Sequence, residues 1–235
     1  MDSKVEGKKR TKNAASQNNA VSITASNDSL YKSPGKVTEM TSATLGEMVF
    51  SYVNNGDMDG LLALFENCNK QSQTTLLLQT LLSLSYPNTE RLYDFEPQFQ
   101  DEAAELLGPS VNHLNAIQIA CILEDEDMSL AILEFVSKAT LEMNAKKVLY
   151  EFMGSTWGNG NTLLHLASFL CMADLVRRLL ELGANVNRKN ERKYKPVDCT
   201  NDYNVMDIFL TTTESNIYIY INKFIYKFIY IIKKY

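Results

Sequence analysis

The feature that most constrains this chain is that it repeats itself. Thr162-Leu163-Leu164-His165-Leu166-Ala167 opens a unit. The second half of that unit, Leu175-Val176-Arg177-Arg178-Leu179-Leu180-Glu181-Leu182, spaces its apolar residues at helical intervals and stops at Gly183-Ala184-Asn185-Val186-Asn187. Thirty-three residues on from Thr162, Lys195-Pro196-Val197-Asp198-Cys199-Thr200 stands in the same register. Forty-seven residues back stands Asn115-Ala116-Ile117-Gln118-Ile119-Ala120, with Ala120 opposite Ala167 and Ile132-Leu133-Glu134 opposite Leu179-Leu180-Glu181. A shift of 115 sets Gly56 opposite Cys171 and Leu64-Phe65-Glu66 opposite the same Leu-Leu-Glu. One helical hairpin met four times predicts a stack, because each copy leaves an apolar face that only the next copy covers. The predicted fold class is all-α, a solenoid of four to five helical hairpins.

The rest of the middle of the chain agrees. Leu45, Met48, Val49, Tyr52 and Val53 recur at three- and four-residue steps, Asn54-Asn55-Gly56-Asp57 breaks them as a turn, and Leu61, Leu62, Leu64 and Phe65 resume them. Leu76–Leu84 reads as an apolar helix that stops before Pro87. Asp101–Leu107 reads as a short helix closed by Gly108 and Pro109. Ala116–Leu123 and Met128–Val136 make a further hairpin around Glu124-Asp125-Glu126-Asp127. Acids at a helix start complement the helix dipole, which is favoured over a cation- or partner-binding role for that run. Two insertions, at about 86–100 and 137–157, exceed ordinary loops.

The two motifs of the 158–190 unit resemble those of the ankyrin repeat. The family's TPLHxA sequence stands here as Thr162-Leu163-Leu164-His165-Leu166-Ala167, and its LLxxGAxxN sequence as Leu179-Leu180-Glu181-Leu182-Gly183-Ala184-Asn185-Val186-Asn187, with the family's spacing between them. The clearest repeats are 113–136, 158–190 and 191–212; 46–68 matches less closely and 70–108 least. The resemblance implies an ankyrin-like solenoid over residues 43–212, of the irregular kind met in small fungal ankyrin proteins. It implies structural roles for Thr162 and His165 in holding the loop, Ala167 in letting helices approach, Leu179 and Leu180 in the core, and Gly183 in ending the second helix. Leu163 departs from the family in replacing proline, Ser168 in replacing alanine, and Cys171 in replacing the glycine of the inter-helix turn, which carries strain if its φ is positive.

Composition narrows the function classes. Residues 41–150 hold 16 acidic against 5 basic side chains, between basic-leaning ends, and the whole chain carries a net charge of -5. Nucleic acid is therefore not an expected partner. Cys68, Cys121, Cys171 and Cys199 are scattered, form no CxxC pair and lie near neither His113 nor His165, so no metal site is expected. Reduced, buried cysteines suit a cytoplasmic or nuclear protein. No G-x-S-x-G, G-x-x-x-x-G-K-[ST], H-E-x-x-H or EF-hand pattern occurs, so neither a catalytic residue nor a cofactor is expected. Gly158-Asn159-Gly160-Asn161 reads as an inter-repeat turn rather than a phosphate cradle.

Residues 1–42 are polar and predict a disordered tail carrying a basic cluster, Lys8–Lys12, of nuclear-import type. Residues 213–235 form a low-complexity Ile/Tyr/Lys tail, too short and too interrupted by Lys223 and Lys227 to span a membrane. Asp207–Leu210 supplies the last helix before it. The expected function is non-enzymatic recognition of another protein by a monomer. Its alternatives are a regulatory subunit of an enzyme or transcription complex in the nucleus, and a protein held at a membrane by the tail. Repeat geometry places the binding surface on the inter-repeat loops, at Trp157, Asn159, Asn161, Arg188, Lys189, Asn190 and Tyr194, with the Glu124–Asp127 turn as a second candidate.

Overall fold

In the computed structural model of the protein the described residues are 41–68 and 70–212. The expected N-terminal disorder, the Lys8–Lys12 cluster and the tail 213–235 lie outside them. Ten helices follow in order: α1 (Ser42–Asn55), α2 (Met58–Asn67), α3 (Gln71–Ser83), α4 (Gln100–Leu106), α5 (Ala116–Ile122), α6 (Glu126–Glu142), α7 (Lys146–Gly154), α8 (Leu163–Phe169), α9 (Ala173–Glu181) and α10 (203–212). Short 3-10 turns occupy Pro97–Phe99 and Pro196–Cys199. Among the described residues the extended pairing is limited to two isolated antiparallel bridges, Tyr86 with Leu114 and Trp157 with Asn161.

The helix starts are written locally. Thr41 Oγ1 accepts the Thr44 N–H at 3.2 Å, Asp57 Oδ1 the Gly60 N–H at 2.9 Å and Asp125 Oδ1 the Met128 N–H at 2.9 Å. Each satisfies a backbone donor that the first turn leaves without a partner. Asn115 and Gln118 cap reciprocally: Gln118 Oε1 accepts the Asn115 N–H at 2.9 Å, and Asn115 Oδ1 accepts the Gln118 N–H at 3.1 Å. Thr41 is thus already part of the folded unit, two residues before the expected boundary. At the other end of a unit, Gly183 ends α9 at φ +91°, a left-handed conformation that a Cβ would strain.

The stack has two rows. Helices α1, α5 and α8 and the 196–199 turn pack in succession, and α2, α6 and α9 pack in succession beside them. Every residue of α5 and of α8 is buried. Helices of seven residues are unstable alone, so their stability comes from neighbours on all sides. Ala120 and Ala167, both fully buried, leave room for the rows to close up. Leu175, Val176 and Leu179 are fully buried on α9, each worth about 2 kcal/mol of apolar burial.

Four hairpins result, from α1/α2, α5/α6, α8/α9 and the 196–199 turn with α10. Residues 70–108, the least clear of the expected repeats, do not make a fifth: α3 packs on α1 and α6, and the next α-helix, α4, follows only after the irregular stretch 84–96 rather than turning back on α3 as a hairpin. The 137–157 insertion is helical rather than a loop. Helix α6 runs on because Val136, Ala139 and Thr140 continue its buried stripe, and α7 buries Leu149, Phe152 and Met153. Residues 84–114 return along the stack. The Tyr86 hydroxyl donates to Gly46 O at 2.8 Å, the Tyr93 hydroxyl donates to Asn54 Oδ1 at 2.7 Å, and the Phe95 ring stands edge-on to Phe169 at 5.3 Å. Three aromatic rings thus tie this insertion to the first and third units.

Candidate functional site

The inter-repeat loops project as narrow turns. Trp157 and Asn161 exchange both backbone hydrogen bonds, at 2.9 and 3.0 Å, across Gly158-Asn159-Gly160. In the next unit the Asn190 N–H donates to Tyr194 O at 3.0 Å, and Asn190 Oδ1 accepts the Tyr194 N–H at 3.0 Å. The glycine-rich stretch is therefore a turn, as its position in the repeat implied.

The returning insertion closes over these turns. Helix α4 ends against them, and its last carbonyls, which a helix leaves without partners, are taken up by loop side chains. Arg192 Nε donates to Glu105 O at 3.1 Å, Asn190 Nδ2 to Leu106 O at 2.8 Å and Asn161 Nδ2 to Leu107 O at 2.7 Å. Asn190 Nδ2 also donates to Asn161 Oδ1 at 2.8 Å, which links the two turns into one ladder. A little further on, the Ser110 N–H donates to Asn159 Oδ1 at 3.4 Å and the Gly158 N–H to Asn112 O at 3.1 Å. The backbones pass so closely that a Cβ at Gly158 would collide with the Ser110 carbonyl.

This contact corrects the expected binding surface. Trp157, Asn161 and Asn190 are buried, at 1%, 0% and 3% exposure, and the two asparagines belong to the internal joint between insertion and repeats. They present nothing to a partner, because the chain's own residues fill the space a partner would need. Asn159 and Tyr194 are half-buried. Arg188 and Lys189 are exposed, and so are Arg192 and Lys193, which sequence reasoning left out although they continue the same basic run. Among the described residues, Arg188, Lys189 and Lys193 form no ion pair. The acidic turn is also used internally: Asp125 caps α6, and Glu126 Oε1 accepts the Leu175 N–H of the next unit at 3.0 Å.

His165 shows why the motif holds together. It is fully buried. Its Nδ1 accepts the Thr162 N–H at 3.1 Å and lies 2.8 Å from the Thr162 hydroxyl, while Nε2 reaches Tyr194 O of the following turn at 3.1 Å. An accepting Nδ1 and a carbonyl facing Nε2 require the neutral ring with its proton on Nε2. Burial pushes its pKa down to about 4, so the ring stays neutral at physiological pH. Both nitrogens are occupied, so neither is open to a substrate. Burial also pushes the Cys121 and Cys199 thiols up to about 12, and Cys68 is raised for the same reason. These are protonated packing residues rather than nucleophiles. Cys171 stands at φ +58°, so the turn where the family has glycine is strained here.

A cavity of about 470 Å³ opens within the insertion between Asn88, Arg91, Tyr93, Asp94, Ser110 and Asn112. Much of its polar lining is bonded internally, as in Asn88 Nδ2 to Tyr93 O at 2.7 Å and Asn112 Nδ2 to Ser110 Oγ at 3.0 Å. Among the described residues no group of three or more His, Cys, Asp or Glu side chains is placed to hold a metal ion. Among them, too, no helix is long and apolar enough to cross a membrane.

Residues 159–191 match the family model of the ankyrin repeat. That span holds the Thr162–His165 motif, α8, α9 and the Gly183 turn. No curated protein matches the chain. Among solved structures, the ankyrin repeat domain of Bcl-3, described as a unique member of the IkappaB protein family, is similar at 14% identity over 69% of this chain and 97% of that one, with a TM-score of 0.25.

Proposed function

We propose that this chain is a non-enzymatic protein-recognition module that binds an acidic segment of another protein through the exposed basic turn at 188–193. The ankyrin repeat at 159–191 supports protein binding as the general activity. The observation that carries the finer reading is the contrast between the loops. Asn161 and Asn190 are bonded to the insertion and Trp157 is buried, whereas Arg188, Lys189 and Lys193 stay exposed without an ion pair among the described residues. Cations without local partners are available to a partner's carboxylates, and their field speeds the encounter.

The test is capture of partners from cells of the native organism by the full chain and by the double variant Arg188→Glu/Lys189→Glu. The variant is expected to fold as the parent does and to lose the partner, with the parent's binding weakened by salt. A stoichiometric partner held equally by both chains would refute the basic-turn reading while leaving protein recognition standing. The proposed location is the cytoplasm, with import into the nucleus through Lys8–Lys12. Deletion of those five residues is expected to remove a nuclear signal in fluorescence microscopy.

A further inference from the structure

Two opposite charges line one cavity of this protein without meeting. Arg91 and Asp94 both border the space of about 470 Å³ within the insertion, and both are exposed. They stand three residues apart in the chain, yet no ion pair joins them and neither side chain bonds another described group. Gln100 and Asn112, in the same lining, are bonded through their amide nitrogens alone, to Phe95 O at 3.1 Å and to Ser110 Oγ at 3.0 Å. Both amide oxygens therefore remain open to a donor. Phe95, Ala103 and Val111 add apolar wall to the same space.

The backbone holds Arg91 there under strain. Its φ is +52°, in the left-handed region. Glu124, Asn144 and Cys171 share that region, but each stands just past the end of a helix, where the chain must turn. Arg91 has no such reason, since α3 has already ended at Ser83. Strain of this kind in a non-glycine residue gathers at ligand clamps, where the position of a side chain matters more than its backbone comfort.

Each charge repels the ligand that would suit the other. A bare anion drawn to Arg91 meets Asp94, and a bare cation drawn to Asp94 meets Arg91. A ligand carrying both signs satisfies both, and N–H groups between its charges find the Gln100 and Asn112 oxygens. The smallest molecule of that description is a short peptide with free ends. The cavity volume also falls in the range of small-ligand pockets, roughly 300–1,000 Å³. We propose that this cavity binds such a peptide, its terminal ammonium on Asp94 and its carboxylate on Arg91. This site goes beyond the basic-turn contact and does not depend on it.

Amide NMR shifts of the full chain, titrated with the tripeptide glycyl-leucyl-glycine, test the proposal. The expected result is saturable shifts centred on residues 88–112. Affinity should fall about tenfold or more for Asp94→Asn, for Arg91→Asn, and for the tripeptide acetylated at its amine or amidated at its carboxyl. Asparagine tolerates the left-handed conformation, so Arg91→Asn removes the charge while keeping the backbone. The variant Arg188→Glu/Lys189→Glu is expected to bind the tripeptide as the parent does, which separates this result from that of the basic turn. No saturable shift up to about 10 mM tripeptide would overturn the proposal. So would equal affinity in the parent and both cavity variants, equal affinity for free and capped tripeptide, or shifts centred on 188–193.

Discussion

Acidification should weaken this protein through one residue. His165 is fully buried, with Nδ1 facing the Thr162 N–H and hydroxyl and Nε2 facing Tyr194 O. Its folded pKa lies near 4, against 6.5 for an exposed histidine. Below pH 6.5 the unfolded chain takes up a proton that the folded chain refuses, so stability falls as pH drops, and the loss is complete only below pH 4. The full difference corresponds to about 3 kcal/mol, of which roughly 2 kcal/mol is gone by pH 5. Urea unfolding followed by the fluorescence of Trp157, the single tryptophan, measures it directly. The comparison is between parent and His165→Gln, each at pH 7 and pH 5. Groups away from position 165 are common to both chains, so their contributions cancel in the difference. The parent is expected to lose about 2 kcal/mol more than the variant over that interval. Equal losses would refute the reasoning, for they would mean that His165 is protonated in the folded state and that the repeat motif is held some other way.

Four other substitutions follow from the same geometry. Asn161→Ala leaves Leu107 O and Asn190 Nδ2 short of a buried partner; we expect a loss of about 2–4 kcal/mol and faster amide exchange over 100–107, and exchange confined to 157–161 would contradict the joint described above. Cys171→Gly releases a non-glycine residue from φ +58° and should raise stability by about 0.5–1 kcal/mol in denaturant titration; a loss would mean that the cysteine side chain contributes more than its backbone costs. Arg178, half-buried, bonds Glu134 of the preceding unit at 3.0 Å and Glu181 at 3.1 Å, but both carboxylates are exposed to water. Arg178→Ala should therefore cost about 1 kcal/mol or less, whereas Leu179→Ala beside it should cost about 3 kcal/mol, and a reversal of that order would overturn the primacy of packing in this stack.

Much of the fold was legible in the chain because its causes are local. Asn115 with Gln118 and Thr162 with His165 meet three residues apart, Gly183 and Cys171 mark their turns by position, and the apolar steps of α1, α2, α5, α6 and α9 lie within single turns of helix. The reading of Glu124–Asp127 as a helix start came from the same short range, and Asp125 caps α6. The candidate surface was not legible. A buried asparagine in a turn and an exposed one carry the same letters, and what separates Asn161 and Asn190 from Lys189 is a carbonyl 54 or 84 residues away. Nothing in the spacing of residues 84–114 announces that Tyr86, Tyr93 and Phe95 will fasten them along the stack, because long-range contacts have no sequence period. The local pattern determined that hairpins form and stack. Only the tertiary structure decided that an insertion would hold two asparagines in an internal joint and leave Arg188, Lys189, Arg192 and Lys193 exposed to water.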